Sequence, residues 1–430
     1  MNNDSPDRSK PASAKSFGKK LGAGLVAGAA DDDPSGIATY SQAGAAFGYG
    51  MLWAMLFTYP LMVGIQLISA RVGRVTGKGL AANIRTHLSA RLLYVLVSLL
   101  LVANVINIAA DLGAMGAALK LLLGGPALLY TLGFGVTSLL LQVFVPFPRY
   151  SPLLKLLTLA LFAYVGTVFA VRVPWLAVLH GTLLPKLSFD KNYLVVLVAV
   201  FGTTISPYLF FWQASQEVEE QRATPGEQPL KRAPEQARAH LQRIEFDTYV
   251  GMGISNLVAF FIMLTAAVSL HTQGVTNVET SAQAAQALRP LAGEFAFVLF
   301  AAGIVGTGLL AVPVLAGSAA YAVAEAFRWR TGLGQAPHRA RGFYMILSLA
   351  ILFGVALNFT PIDPIKALFW SAVINGVIAV PFMVTIMLLA IKSEVMGRFV
   401  IRRRLRALGW LATAVMALAV LTMLWTLHLN

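Results

Sequence analysis

Long apolar segments separated by short polar stretches run through the whole chain. We count eleven of them, each close to the length of about 20 residues that a helix needs to cross a bilayer. They cover residues 20–46, 49–73, 91–117, 125–146, 152–171, 193–217, 247–270, 293–318, 342–359, 364–391 and 407–428. The pattern predicts an all-α integral membrane protein with a single transmembrane domain over residues 20–430. Residues 1–19 are polar and are expected to form a disordered cytoplasmic tail.

The positions of lysine and arginine test this count. With the N-terminus inside and the sides alternating, 27 of the 33 Lys and Arg residues fall in inside segments. The positive-inside rule requires this asymmetry. Eleven spans therefore predict a multi-pass protein of the cell (plasma or inner) membrane, with a cytoplasmic N-terminus and an outside C-terminus. The longest polar stretch, about residues 218–246, becomes a cytoplasmic loop with a short helix near residues 234–242. Residues 280–291 are predicted to form an outside surface helix.

Composition agrees with a protein whose main partner is the lipid bilayer. Of the residues, 57% are hydrophobic and 12% are charged, whereas a soluble domain carries about 25% charged residues. The net charge of +14 comes from Lys and Arg residues between the spans. Membrane topology explains their positions, so we expect no nucleic-acid partner. The absence of cysteine excludes disulfides and thiolate metal sites.

Two of the eleven spans are interrupted in the middle. Residues 31–36 in the first span read DDDPSG, and residues 202–208 in the sixth read GTTISPY. Proline removes a backbone donor and disfavours helix just before it, and a carboxylate in mid-bilayer is expensive and usually functional. The breaks lie five spans apart. This spacing indicates two inverted repeats of five spans whose unwound segments meet near mid-membrane.

Other interpretations of the two breaks remain open at this point. Residues 31–34 fit a solvent loop between two short re-entrant segments, although losing the first span would put the Lys/Arg pattern out of phase. Pro207 alone fits a simple kink, because proline is common in membrane helices. Its position five spans after the first break favours the repeat.

Four stretches resemble the natural resistance-associated macrophage protein (NRAMP) family of divalent metal transporters. Residues 33–36 (DPSG) match the family's Asp-Pro-Gly-Asn, and residues 70–78 (ARVGRVTGK) match Ala-Arg-Leu-Gly-x-Val-Thr-Gly-Lys. Residues 110–113 (ADLG) match Thr-Asp-Leu-Ala, and residues 247–248 are the expected Asp-Thr. The resemblance spans nearly the whole chain. It implies a LeuT-like 5+5 inverted repeat with broken helices 1 and 6, an eleventh transmembrane helix, and alternating access around a mid-membrane metal.

The chain departs from the family at the ligand positions. The family's sixth helix carries Ala-Thr-Val-Met-Pro-His where residues 203–208 read TTISPY. Ser206 therefore replaces a thioether, a soft ligand that favours transition metals. Gly36 replaces the first-helix asparagine, which removes a ligand and leaves more room. Ala372 replaces a tenth-span glutamine, although Asn375 is nearby.

The positions that handle protons in the family have changed as well. Tyr208 stands where the family has a histidine, and Gln213 aligns with a second histidine. Asp111 matches an aspartate that helps proton transfer, but the acid three residues later is Ala114 here. We therefore expect Asp111 to make a structural hydrogen bond or salt bridge.

We expect Asp33 to be the central metal ligand, with carbonyl or hydroxyl oxygens from Thr203 and Ser206 and with Gly36 contributing by its lack of bulk. The adjoining Asp31 and Asp32 are interpreted as capping the break or as attracting cations. The side chains expected to line the cavity or support the ligands are those of Asp31, Asp32, Thr204, Tyr208, Gln213, Asp111 and Asn375.

A carboxylate among neutral oxygens, without a soft ligand, suits Mg²⁺, which keeps several waters when bound. This pattern resembles the NRAMP-related magnesium transporters and implies Mg²⁺ transport, with Mn²⁺ also carried, by alternating access without proton coupling. The rivals are a proton-coupled Mn²⁺/Fe²⁺ transporter and an amino-acid symporter of the same architecture. Three aspartates at the first break would repel a substrate carboxylate. We expect no cofactor and no enzymatic activity, since His-Glu-x-x-His and Gly-x-Ser-x-Gly motifs are absent.

Overall fold

The computed structural model describes residues 22–146, 149–150, 156 and 158–428. About 82% of the described residues are helical, and they contain no β-strand. Short 3₁₀ turns join several of the helices. The α-helices are α1 (Ala23–Asp31), α2 (Pro34–Phe47), α3 (Trp53–Thr76), α4 (Leu80–His87), α5 (Ala90–Leu123), α6 (Ala127–Phe144), α7 (Phe162–Ala170), α8 (Trp175–Leu183), α9 (Lys191–Thr204), α10 (Pro207–Ala223), α11 (Ala237–Ser269), α12 (Ser281–Gln286), α13 (Arg289–Ala292), α14 (Ala296–Ala326), α15 (Arg341–Leu357), α16 (Pro364–Ile391), α17 (Ser393–Met396) and α18 (Arg403–His428).

The helices fall on the predicted apolar segments. Within the described residues, eight helical stretches are long and apolar enough to span a membrane, and two shorter apolar helices cover residues 159–170 and 341–357. The first predicted span is present as its two halves, α1 and α2. The predicted all-α membrane fold with broken first and sixth helices is confirmed. The predicted tail and residues 152–155 and 157 of the fifth span lie outside the described residues.

The two broken helices restart in the same way. Pro34 and Pro207 each occupy the first position of a new helix, and an extended residue precedes each of them. Proline suits this position because its fixed φ is already helical and its missing N–H would have no partner there. The sequence therefore dictates both interruptions locally.

The polar loops are shorter than the sequence predicted. Helix α10 continues to Ala223 and α11 begins at Ala237, so only residues 224–236 of the predicted loop at 218–246 lie outside α-helices. The helix expected near residues 234–242 is present as a 3₁₀ turn followed by the start of α11, and it continues into the seventh span instead of ending in the loop. The surface helix expected at residues 280–291 is two short helices, α12 and α13.

Small residues let the broken helices pack closely on their neighbours. A Cβ atom at Gly28 of α1 would lie 2.2 Å from the carbonyl oxygen of Gly251 in α11. A Cβ atom at Gly202 of α9 would lie 2.1 Å from the carbonyl oxygen of Ala372 in α16. Such close backbone contact replaces the hydrophobic driving force that is missing between helices in lipid. It fixes each break against a continuous helix.

Candidate metal site

Asp33 directly precedes α2 and caps it with one carboxylate oxygen. Its Oδ1 accepts hydrogen bonds from the Gly36 amide at 2.8 Å and from the Ser35 hydroxyl at 2.5 Å. Such a cap satisfies a backbone donor that the helix leaves without a partner. The other oxygen, Oδ2, lies 3.3 Å from the hydroxyl of Tyr208. Asp33 therefore holds its carboxylate rigidly while Oδ2 stays available to a ligand.

The second break supplies neutral oxygens. The Ser206 hydroxyl donates to the carbonyls of Gly202 at 2.7 Å and Thr203 at 2.8 Å, so its lone pairs are left to accept or to ligate. The Thr203 hydroxyl is buried without a hydrogen-bond partner. The Thr204 hydroxyl instead donates back to the carbonyl of Val200 at 3.0 Å. All three hydroxyls therefore keep lone pairs that can ligate, and among the described residues that of Thr203 has no hydrogen-bond partner.

Tyr208 and Gly36 join the two breaks to each other. The Tyr208 hydroxyl lies 3.0 Å from the carbonyl oxygen of Ala30 and can donate to it or to Asp33. A Cβ atom at Gly36 would lie 3.2 Å from Thr203 Cγ2 and 3.3 Å from the carbonyl oxygen of Asp31. The extra room expected at Gly36 is thus filled by Thr203 in this conformation. Asp33 is 1% exposed and Thr203 is 2% exposed, which places both away from bulk solvent.

Asp31 and Asp32 point to α11. The Ser255 hydroxyl lies 2.7 Å from Asp31 Oδ2 and 3.2 Å from Asp32 Oδ1. Asp32 also borders a cavity of about 240 Å³ between α1 and α11. Neither carboxylate caps a helix, since Asp33 alone accepts from the start of α2. Of the expected capping and hydrogen bonding at the break, the hydrogen bonding is present, through Ser255 of α11.

The remaining predicted residues are spread around the breaks. The Gln213 amide donates to the Thr248 hydroxyl at 2.8 Å. Asn375 is buried on α16 beside Gly376, which packs on Gly202. Asp111 is fully buried on α5, and neither of its oxygens has a hydrogen-bond partner in the described structure. The structural hydrogen bond or salt bridge expected for Asp111 is therefore absent.

Access to the breaks differs between the two faces of the bundle. On the face where α2 ends and α9 begins, a cavity of about 630 Å³ reaches Ala38, two residues beyond Gly36. On the opposite face, Asp247 of α11 accepts hydrogen bonds from the backbone amides of Gly22, Gly24 and Leu25 at 2.6–3.1 Å. This second face is held closed at the start of α1.

A cluster of ion pairs beside the start of α1 also holds this second face closed. The Arg243 guanidinium on α11 lies 2.6 Å from the buried carboxylate of Glu217 and 3.0 Å from that of Glu220, both on α10. It thereby ties α10 to α11 beside the anchored end of α1. Sequence reasoning missed this role of Asp247 and Arg243, although Asp247 was part of a recognised motif. It also missed Ser255, whose apolar surroundings in the sequence gave no signal.

The family model described as "Natural resistance-associated macrophage protein-like" matches residues 24–426. The chain belongs to the Nramp family. Relatives of this Nramp protein include two chains named divalent metal cation transporter MntH. The one from Deinococcus radiodurans is 28% identical over 420 residues, which is 95% of this chain and 89% of that protein. The one from Aeromonas hydrophila is 30% identical over 368 residues, 80% of this chain and 85% of that protein.

Solved structures share the fold of this Nramp chain. The Eremococcus coleocola manganese transporter, in complex with an aromatic bis-isothiourea substituted compound, superposes with a TM-score of 0.70 at 18% identity, covering 96% of this chain and 88% of that one. Mhp1, a nucleobase-cation-symport-1 family transporter, gives a TM-score of 0.56 in a closed conformation at 14% identity, covering 94% and 92%. The fold is therefore that of transporters with broken helices, and the chain is a transporter-family member rather than an enzyme.

Proposed function

We propose that this protein carries divalent metal ions across the membrane by alternating access, with Mg²⁺ as its main substrate and Mn²⁺ also carried. The relatives named above are divalent metal and manganese transporters, which supports divalent metal transport in general. The preference for Mg²⁺ and the absence of proton coupling rest on the site's own residues. The metal is a substrate here, not a resident cofactor.

The observation that carries the proposal is that the segments of the two breaks, at the point where they meet, themselves offer only oxygen donors. Residues 30–36 and 202–208 contain no Met, His or Cys. Asp33 Oδ2, the Thr203 hydroxyl and the Ser206 hydroxyl are hard donors at that point. Hard oxygen ligands suit Mg²⁺ and Mn²⁺, while a site without thioether or imidazole gives little advantage to softer ions.

The small number of charged ligands also favours a partly hydrated ion. Among the described residues no group of three or more His, Asp or Glu side chains is arranged to hold a metal. A site with one committed carboxylate leaves most coordination positions to neutral oxygens and water. Mg²⁺ dehydrates reluctantly and usually keeps several waters while using one or two carboxylates.

The two faces of the bundle support alternating access. The cavity of about 630 Å³ lies on one face and reaches Ala38 of α2, whereas Asp247 and Arg243 hold the other face together. Transport then requires this cluster to open while the cavity closes. With the predicted topology in the cell membrane, the closed face is cytoplasmic and the membrane potential drives uptake. A divalent ion gains about 4.6 kcal/mol per 100 mV, twice the value for a single charge.

Uncoupled transport is supported by the residues that replace the family's histidines. Tyr208 donates toward Ala30 or Asp33, and Gln213 holds Thr248 through its amide. Neither side chain is a proton carrier near neutral pH.

One observation favours the rival, a proton-coupled Mn²⁺ or Fe²⁺ transporter. Asp111 is a buried carboxylate without a hydrogen-bond partner in the described structure, and such groups are found along proton pathways in membrane proteins. The rival requires protons to move with the metal and requires Asp111 for that movement.

Reconstituted liposomes that contain a Mg²⁺ dye and a pH dye test both candidates in one sample. We expect Mg²⁺ entry that increases with inside-negative potential, without acidification of the lumen, and Mg²⁺ entry that persists in Asp111→Asn. Metal-dependent acidification that disappears in Asp111→Asn, together with Cd²⁺ or Fe²⁺ entry and no Mg²⁺ entry, would establish the rival instead.

A further inference from the structure

A further cavity, of about 260 Å³, is separate from the two described above and is lined by basic side chains. Lys78 and Arg85 come from the segment around α4, Arg222 from the end of α10, and Arg328 from just beyond α14. We propose that this basic pocket, defined by these four residues, binds the phosphate headgroup of an anionic phospholipid.

Four basic side chains line the basic pocket, and the nearby carboxylates of Glu325 and Glu219 offset only part of their charge. Of these two, Glu325 lines the pocket and accepts the backbone amide of Ala82 at 3.1 Å. Arg85 donates to the main-chain carbonyl of Glu325 rather than to a carboxylate. None of the four cations takes part in an ion pair within the described part of the chain. Guanidinium groups with free N–H donors match the geometry of phosphate oxygens.

The backbone conformation at Arg328 is one that glycine usually occupies, which points to a role for the arginine side chain. Helix α14 ends with a hydrogen bond from the Trp329 amide to the carbonyl of Ala324 at 2.8 Å. This ending places Arg328 in the left-handed region, at φ 61°, where glycine is the usual residue. Arg328 is the one residue other than glycine with positive φ among those the structure describes. A glycine would fit the turn better but would remove a cation from the pocket.

The surroundings of the pocket favour a lipid over a soluble anion. Trp329 lines the pocket and stacks on Phe327 with ring centroids 5.2 Å apart, and Phe327 contacts Tyr94 of α5 at 5.9 Å. From Tyr94 an exposed apolar strip continues along α5 through Val95 and Val102, which are 57% and 58% exposed. Aromatic side chains concentrate at membrane interfaces. A headgroup in the pocket would therefore have its acyl chains along this strip.

The pocket lies on the face that the Lys/Arg distribution predicts to be cytoplasmic, where anionic lipids attract basic groups. It also joins α4, α10 and α14, and α10 is the second half of a broken helix. A bound headgroup would fasten α10 to its neighbours and stabilise the closure of this face. The proposal does not depend on which metal is transported.

The full-length protein in neutral detergent provides the test, with phosphatidylglycerol as the probe and phosphatidylcholine as the uncharged comparison. The pocket variant is Lys78→Gln/Arg222→Gln/Arg328→Gln. The matched control, Lys120→Gln/Arg172→Gln/Arg289→Gln, removes the same charge from exposed cations of the predicted outside segments. Native mass spectrometry counts retained lipids, and tryptophan fluorescence follows the unfolding temperature.

We expect phosphatidylglycerol, and not phosphatidylcholine, to raise the unfolding temperature of the wild type and of the control. The pocket variant should bind phosphatidylglycerol at least about tenfold more weakly, since each cation near anionic lipid is worth about a factor of five. Equal binding by pocket and control variants would overturn the proposal. A stabilisation reproduced by inorganic phosphate at the same concentration would show a soluble-anion site instead.

Arg328→Gly separates lipid binding from folding. Glycine relieves the left-handed backbone, so without lipid this variant should unfold at a temperature equal to or above that of the wild type. It should nevertheless respond less to phosphatidylglycerol. An Arg328→Gly variant that keeps the full lipid response would contradict the assignment even if the triple variant fails to fold.

Discussion

The two breaks of the bundle restart their helices alike but contribute different chemistry. Both end at a proline in the first helical position, Pro34 or Pro207. At the first break the preceding residue is charged, and Asp33 caps its own helix through Oδ1. At the second it is neutral, and Ser206 donates backwards to the carbonyls of the helix it leaves.

The same backbone geometry thus carries a charged side chain at the first break and neutral oxygen donors at the second. The first break supplies a negative charge, which offsets the free-energy cost of removing water from the cation. The second supplies neutral oxygens that shape the site. An ion bound between them would contact both halves of the transporter. Changes at the first break should therefore affect whether any metal is carried, whereas changes at the second should affect which metal.

Removal of the Asp33 charge should have the largest effect. Asp33→Asn and Asp33→Ala should both reduce Mg²⁺ flux to the level of empty liposomes, because Asp33 is the carboxylate within hydrogen-bond distance of Tyr208 at the second break. Asparagine is also a good helix cap, so Asp33→Asn should unfold like the wild type, whereas Asp33→Ala should lose about 1 kcal/mol of stability. A dye-based flux assay and thermal unfolding check this pair. Wild-type Mg²⁺ entry in Asp33→Asn would remove the first break from the site.

A soft ligand at the second break should change selectivity. Ser206→Met should lower Mg²⁺ uptake by about tenfold, equivalent to about 1.4 kcal/mol, and should allow Cd²⁺ uptake, because a thioether favours softer ions. Ser206→Ala is the matched control and should lose Mg²⁺ uptake without gaining Cd²⁺. Competition of the two ions in the same liposomes gives the readout. Equal Cd²⁺ uptake by both variants would show that position 206 does not face the ion.

Loss of the contact between the breaks should have the smallest effect. Tyr208→Phe deletes a hydroxyl that donates to Ala30 or Asp33. One hydrogen bond is worth about 1 kcal/mol, so we expect about a fivefold rise in the KM for Mg²⁺. The pH dependence of uptake should stay the same. A flattened pH profile in Tyr208→Phe would instead identify Tyr208 as part of a proton pathway.

The sequence was most informative where local chemistry decides the structure. Pro34 and Pro207 suit the first position of a helix, and the polar residues beside them marked the two breaks, whereas Pro60, Pro313 and Pro381 lie inside continuous helices. The partners of the acids were not predictable, because they come from distant segments. Ser255 reaches Asp31 and Asp32 across more than 220 residues of sequence, and Asp247 holds the start of α1.

Two expectations failed for a related physical reason. The space beside Gly36 depends on where Thr203 lies, and thus on the relative position of two helices. The environment of Asp111 likewise depends on which groups of the neighbouring helices face it, and the structure gives it no hydrogen-bond partner. Neither property is encoded in the neighbouring sequence.

Anomalous diffraction from crystals soaked with Mn²⁺ tests most directly whether the ion binds between the breaks. We predict one strong peak within a single water layer of Asp33 Oδ2 and of the Thr203–Ser206 segment, and no peak at this position in Asp33→Asn crystals. A peak elsewhere, or one that persists at this position in Asp33→Asn, would contradict the account.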